Sequence, residues 1–165
     1  IGEAFDKVAR VVGLGYPGGP KVDRLALQGE PNIELPKTHF DNLDFSFSGI
    51  KTAVINLHHK NPDINKADLC ASFEKTVTEI LIEHIKKAIE ITGLKTVALA
   101  GGVSANSYIR NAFDGLEKNG IKVYMPDLKL CTDNGAMIGS AGYYNYMAGI
   151  RDGLELNAIP NLKLN

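Results

Sequence analysis

Leu69, Phe73, Val77, Ile80, Leu81, Ile85, Ala88 and Ile89 recur at steps of three and four, and no other feature constrains the fold of this chain as much. That spacing is one apolar face of an α-helix. Asn65 stands where the helix needs an N-cap and Asp68 falls in its first turn. Lys86 and Lys87 lie near its C-terminal end, and Gly93 closes it. Each residue type suits its place, because the helix begins with unpaired N–H groups and ends with unpaired carbonyls. A helix this long cannot leave its apolar stripe in water, so the rest of the chain must fold around it. With 44% hydrophobic residues and a net charge of -1 over 165 residues, the chain has the means to do so, and disorder is excluded.

The other elements follow from similar patterns. Ala4, Phe5, Val8, Ala9, Val11 and Val12 form a helical stripe that ends at the Gly- and Pro-rich run Gly13–Pro20. A short helix through Val22, Leu25, Ala26 and Leu27 runs to Gly29, and residues 30–43 read as loop. Polar and aromatic residues alternate over Asp44–Ser48, which predicts a strand, with a helix from Gly49 to about His59. Thr96–Ala100 reads as a buried strand, Asn106 to about Asn119 as a helix and Lys122–Met125 as a strand. Pro126–Thr132 is a loop, and Asn134–Ala148 a helix rich in small residues. Helices that follow strands in this order predict an α/β layer fold, helix-rich and with few strands, forming a partly parallel sheet. One soluble domain is expected.

Charge and cysteine usage narrow the function. Basic and acidic residues number 18 and 19 and are evenly spread, so no basic arm or patch marks the chain for nucleic acid. No stretch has the roughly 18 apolar residues of a membrane span, and the expected location is cytoplasmic. Cys70 and Cys131 lack CxxC spacing and read as buried thiols. His58 and His59 are adjacent, while His39 and His84 stand alone, which is not metal-ligand spacing. There is neither HExxH nor GxSxG. The chain opens at Ile1 within a helical pattern, which reads as a piece of a longer protein.

Four segments can carry chemistry. Gly101-Gly102 ends a strand just before Asn106 and a helix. Free backbone N–H groups and the helix dipole there suit an anion, and Asn106 can bond a sugar or base. A tight turn with an ordinary N-cap explains the same residues. Asp133, in Cys131–Gly139, caps the next helix or reaches a ligand or metal. Asp6, with Gly18, Gly19, Pro20 and Asp23, lies on a helix between apolar positions and faces either a site or solvent. The Phe45–Thr52 segment offers a strand–glycine–helix corner that suits an anion or simply a capped helix start.

Together GEAFDKVARVVGLGYPGGP, DFSFSGIKTA, ALAGGVSAN and CTDNGAMIG, in this order over residues 2–148, resemble the C-terminal half of the TsaD family. These are tRNA threonylcarbamoyladenosine transferases, formerly labelled glycoproteases or O-sialoglycoprotein endopeptidases. The resemblance implies half of an actin-like ATPase (ASKHA, ribonuclease H-like) fold, a single lobe over residues 1–165 whose N-terminal partner lobe is missing. It implies transfer of threonylcarbamoyl from threonylcarbamoyl-AMP to an adenosine beside the tRNA anticodon. By the same analogy Asp6, Gly19, Asp23 and Asn106 contact the adenylate, Gly101 and Gly102 form a supporting loop, and Asp133 is a ligand to a divalent iron or zinc ion. The family's other metal ligands, an HxxxH histidine pair, are not in this sequence. The implied partners are tRNA and a second ASKHA-like protein, with a homodimer through an exposed lobe interface as a further consequence. The chain alone is expected to be inert. A docking lobe is the alternative reading, and a metallopeptidase a weaker one.

Overall fold

The structure, a computed structural model, describes residues 1–38, 40 and 42–160. His39 therefore lies outside the described residues. They fall into two compact units, Ile1–Thr132 and the segment from Asp133 onward.

The first unit is built on helices. In chain order they are α1 (Gly2–Val11), α2 (Gly18–Ala26), α3 (Ser48–Lys60), α4 (Lys66–Thr92) and α5 (Ser107–Glu117), with strands β1 (Thr96–Ala98) and β2 (Lys122–Tyr124) on either side of α5. α4 forms as its sequence predicts. The Asn65 side chain accepts from Ala67 N and Asp68 N, and Gly93 ends the helix in the left-handed conformation at φ 69°. α1 packs on α2 and α3, and α4 packs on α2, α3 and α5. Phe5 meets Phe73 edge-on with ring centroids 4.9 Å apart. Val8, Val22, Ile50, Val54, Leu69, Val77, Ile109 and Phe113 close the core around that pair. Only the first half of α4 is buried. Beyond Leu81 its stripe is half-covered, and Ile91 is exposed.

Two expectations about strands need correction. Residues 44–47 are not a strand: the Phe45 ring lies 4.5 Å from the His84 ring and 6.0 Å from Phe47, which a strand also allows, but among the described residues no neighbouring strand pairs with the segment. The sheet among the described residues therefore has two strands, β1 and β2, parallel with Thr96 opposite Lys122 and Ala98 opposite Tyr124. The strand expected to be buried is half open as well: Val97 alone in β1 is partly covered, while Thr96 and Ala98 are exposed. α5, which packs on β2, covers one side of this sheet.

In the second unit α6 (Gly135–Met147) starts at Asn134, whose Oδ1 accepts from Met137 N at 3.0 Å. The cap is therefore Asn134 and not Asp133, because the side chain must reach the N–H three residues on. α6 has no buried residue. Among the described residues no helix is long and apolar enough to cross a membrane. Cys70 and Cys131 are both free and buried, as their spacing suggested.

Candidate functional site

The first turn of α2 rests directly on α1. Gly18 N donates to Asp6 Oδ1 at 2.8 Å, and a Cβ on Gly18 would lie 2.6 Å from Asp6 Cα. Only glycine allows that approach. The same carboxylate that seemed free in the sequence thus holds the start of α2. Gly19 and Asp23 follow on one face of α2, four residues apart. A Cβ on Gly19 would meet nothing within 4 Å.

Asp23 reaches across to α5. Its Oδ1 accepts from Ser107 Oγ at 2.5 Å and its Oδ2 from Ser107 N at 3.2 Å. Asn106 caps the same helix end, Oδ1 accepting from Ile109 N at 2.9 Å, while Nδ2 donates to Glu74 Oε1 at 2.6 Å. The sequence suggested a strand turning straight into a helix with free N–H groups. Instead Gly102–Ala105 forms a short 3-10 turn, and the α5 terminus already faces a carboxylate and a carboxamide. An anion at that terminus would meet the Asp23 charge, so the N–H groups of α5 do not form the anion site.

The glycine pair has a different role. Gly101 takes φ 88°, a conformation open to glycine but strained for other residues. Its carbonyl accepts from Ser104 N at 2.9 Å and Ser104 Oγ at 2.6 Å. Arg110 braces the turn from below, Nη1 donating to Ser104 O at 2.8 Å and to Pro126 O at 3.1 Å.

Asp6, Gly19, Asp23, Gly102 and Asn106 line one cleft of about 720 Å³ in the first unit, together with Ser107 and Thr132. That volume is in the range of small-molecule sites. Exposed Tyr16 and Leu27 add apolar wall, and the Asp6 and Asp23 carboxylates offer acceptors to hydroxyl or amine donors. The Phe45–Thr52 segment does not line this cleft. Asp133 belongs to the second unit and is exposed. Among the described residues no three His, Cys, Asp or Glu side chains converge to hold a metal ion. Asp133 alone does not fit a catalytic ion, which typically takes three protein ligands.

Glu74 escaped the sequence reading. It is 2% exposed, and burial together with the Asp23 charge pushes its carboxyl up to about 7, against the pull of the Asn106 hydrogen bond. The same burial, with the Glu74 charge, pushes the Cys70 thiol up to about 12. The available signal was a lone acid among Cys70, Phe73, Val77 and Leu81 on the apolar side of α4.

Comparison with known proteins agrees with the motifs. A family model described as TsaD, tRNA N6-adenosine threonylcarbamoyltransferase, matches residues 1–140. Proteins of that name from Clostridium novyi and Clostridium perfringens are 52% and 53% identical over 99% of this chain, and one from Clostridium botulinum is 51% identical over the same share. The chain spans about half the length of these relatives. The family-model match over residues 1–140 and these relatives, in agreement with the four motifs, show that the chain belongs to the TsaD family.

Proposed function

We propose that this chain is the adenylate-holding part of an enzyme that moves a threonylcarbamoyl group from threonylcarbamoyl-AMP to the exocyclic amine of an adenosine in tRNA. The observation that carries the reading is the meeting of Asp6, Gly19, Asp23 and Asn106 in one cleft, though Asp6 is on α1, Gly19 and Asp23 are on α2 and Asn106 caps α5. In the transfer the amine nitrogen bonds to the carbamoyl carbon, the bond from that carbon to the phosphate oxygen breaks, and AMP leaves with the electron pair. The amine gives up one proton.

The groups in the cleft suit the nucleoside end of the adenylate. Asp6 and Asp23 accept hydrogen bonds from ribose hydroxyls, and the bare backbone at Gly19 lets the sugar come close. Tyr16 and Leu27 give the base an apolar face. On this reading the phosphate lies toward Gly102, which lines the cleft, while Gly101 stands outside the lining. A divalent ion, iron or zinc, would act as a Lewis acid on the reacting oxygens. Asp133 is the one residue of this chain that the family resemblance assigns to such an ion, and no complete metal site forms among the described residues.

The whole enzyme, on this reading, is a cytoplasmic two-lobed actin-like protein. The present chain is one lobe of it, and a second ASKHA-like protein and tRNA are its partners. A docking role has one observation in its favour: Ile138, Tyr143 and Tyr144 of α6 are 59–70% exposed. Contact between copies through such a surface would give a homodimer. The deciding experiment supplies the chain with the half of the Clostridium novyi relative that it does not match, together with tRNA and threonylcarbamoyl-AMP. Formation of threonylcarbamoyladenosine with both halves, and its loss in Asn106→Ala, is the expected result. A reconstituted pair that binds tRNA but gives no modified nucleoside would overturn the reading.

A further inference from the structure

Behind the cleft lies a charged group for which the nucleotide reading has no task. Glu74 is on the buried side of α4, yet its Oε1 accepts from Asn106 Nδ2 at 2.6 Å, and Asn106 lines the cleft. The geometry points to Glu74 as a positioning residue of this site, holding the Asn106 carboxamide in one orientation and passing its own protonation state to the cleft. The inference rests on reading the cleft as an adenine-nucleotide site.

A carboxamide has an accepting side and a donating side. Asn106 Oδ1 is taken by Ile109 N, so its NH2 group must find an acceptor. Glu74 provides one whether or not its carboxyl is protonated. Flipping the amide would set NH2 against the Ile109 N–H and lose that bond in either state of Glu74, and with Glu74 ionised it would also set oxygen against carboxylate oxygen. With the flip forbidden, the second Nδ2 hydrogen and the second lone pair of Oδ1 keep fixed directions. Such fixed groups can bind a ligand without first being ordered.

The surroundings make the carboxyl sensitive to pH near neutrality. The titratable groups that interact with it are Asp23 on α2, Tyr108 on α5 and Cys70 one turn earlier on α4. All three are neutral or negative at neutral pH, so none of them favours the carboxylate. Asp23 also holds Ser107. Both side chains that anchor the start of α5 therefore feel the charge on Glu74.

The test uses the 165-residue chain. Its Asn106 side-chain amide is followed by nitrogen-15 NMR between pH 5.5 and 8.5, and AMP is titrated at fixed pH into the wild type, Glu74→Gln and Glu74→Ala. The amide resonances should move with one midpoint near neutrality in the wild type and stay flat in Glu74→Gln. AMP affinity should change by less than about threefold in Glu74→Gln, where an amide oxygen still accepts, and fall about tenfold or more in Glu74→Ala. An Asn106 amide that does not titrate in the wild type overturns the proposal, as does Glu74→Ala binding AMP as well as the wild type. If the amide titrates but the wild type binds no AMP, the coupling of Glu74 to Asn106 stands and the nucleotide reading falls. Should Glu74→Ala not fold, the wild-type profile and Glu74→Gln still decide.

Discussion

A carboxyl that is 2% exposed and raised to about 7 gives a stability effect of definite sign. Between its ordinary value near 4.5 and about 7, the folded chain holds more protons at Glu74 than the unfolded chain. Stability from this residue is therefore complete at low pH, falls as pH rises through that window and is level above it. About two and a half units correspond to roughly 3 kcal/mol. Glu74→Gln keeps the acceptor for Asn106 and has no charge to desolvate. It should match the wild type at pH 4.5 and exceed it by up to roughly 3 kcal/mol at pH 8, measured by urea unfolding of both proteins across the range. A constant difference at every pH would contradict this account. The neighbouring glycines supply a second test at the same scale. Gly18→Ala drives a methyl into Asp6 Cα and should destabilise by about 1–3 kcal/mol. Gly19→Ala meets open space and should leave stability equal or higher, since alanine favours helix by up to ~1 kcal/mol. Its effect should appear in AMP affinity alone, because the added methyl stands where the ligand approaches.

Between elements, the contacts that matter join residues far apart in the chain. Asp23 and Ser107 are 84 positions apart, and Glu74 and Asn106 are 32 apart. Asp23→Ala removes both bonds to the first turn of α5 and should cost about 1–2 kcal/mol, near the upper range for a helix cap. Ser107→Ala removes one bond and should cost less. Hydrogen exchange at Ser107, Tyr108 and Ile109 should quicken in Asp23→Ala, with the middle of α5 unchanged. Equal protection in both variants would show that Asp23 does not cap this helix. These pairings also mark what could be read from the sequence. α1, α4 and α5, the caps at Asn65 and Asn106 and the stop at Gly93 are local patterns, with cause and effect within a few residues. The strand forecast for Asp44–Ser48 failed because alternation shows that a segment can form a strand, not that a partner lies beside it. Asp133 was weighed as a cap when Asn134, one residue later, has the geometry. Asp6, Gly19, Asp23 and Asn106 came from motif resemblance. That Asp6 ties α2 to α1, Asp23 ties α5 to α2 and Asn106 ties α5 to α4 was not legible, because hydrogen bonds across 12 to 84 residues leave no periodicity.

At the scale of the whole molecule, the cleft offers acceptors that suit a nucleoside, and on the proposed reading the group that activates the reacting bond has to come from elsewhere. Asp6 and Asp23 repel a phosphate, and the described residues hold no cluster of metal ligands. The relatives are about twice as long as this chain, and on the proposed reading the part they have in addition supplies that group. Given threonylcarbamoyl-AMP and tRNA, the chain alone should yield no threonylcarbamoyladenosine above the uncatalysed level, as read by mass spectrometry of digested tRNA, while AMP shifts the NMR signals of Gly19, Asp23 and Asn106. Adding the complementary half of a Clostridium relative should restore transfer. Asp6→Ala in the chain should then abolish it, by loosening α2 and removing an acceptor at once. Turnover by the chain alone would mean that its own residues activate the bond. AMP-dependent shifts scattered away from those three residues would place the nucleotide elsewhere.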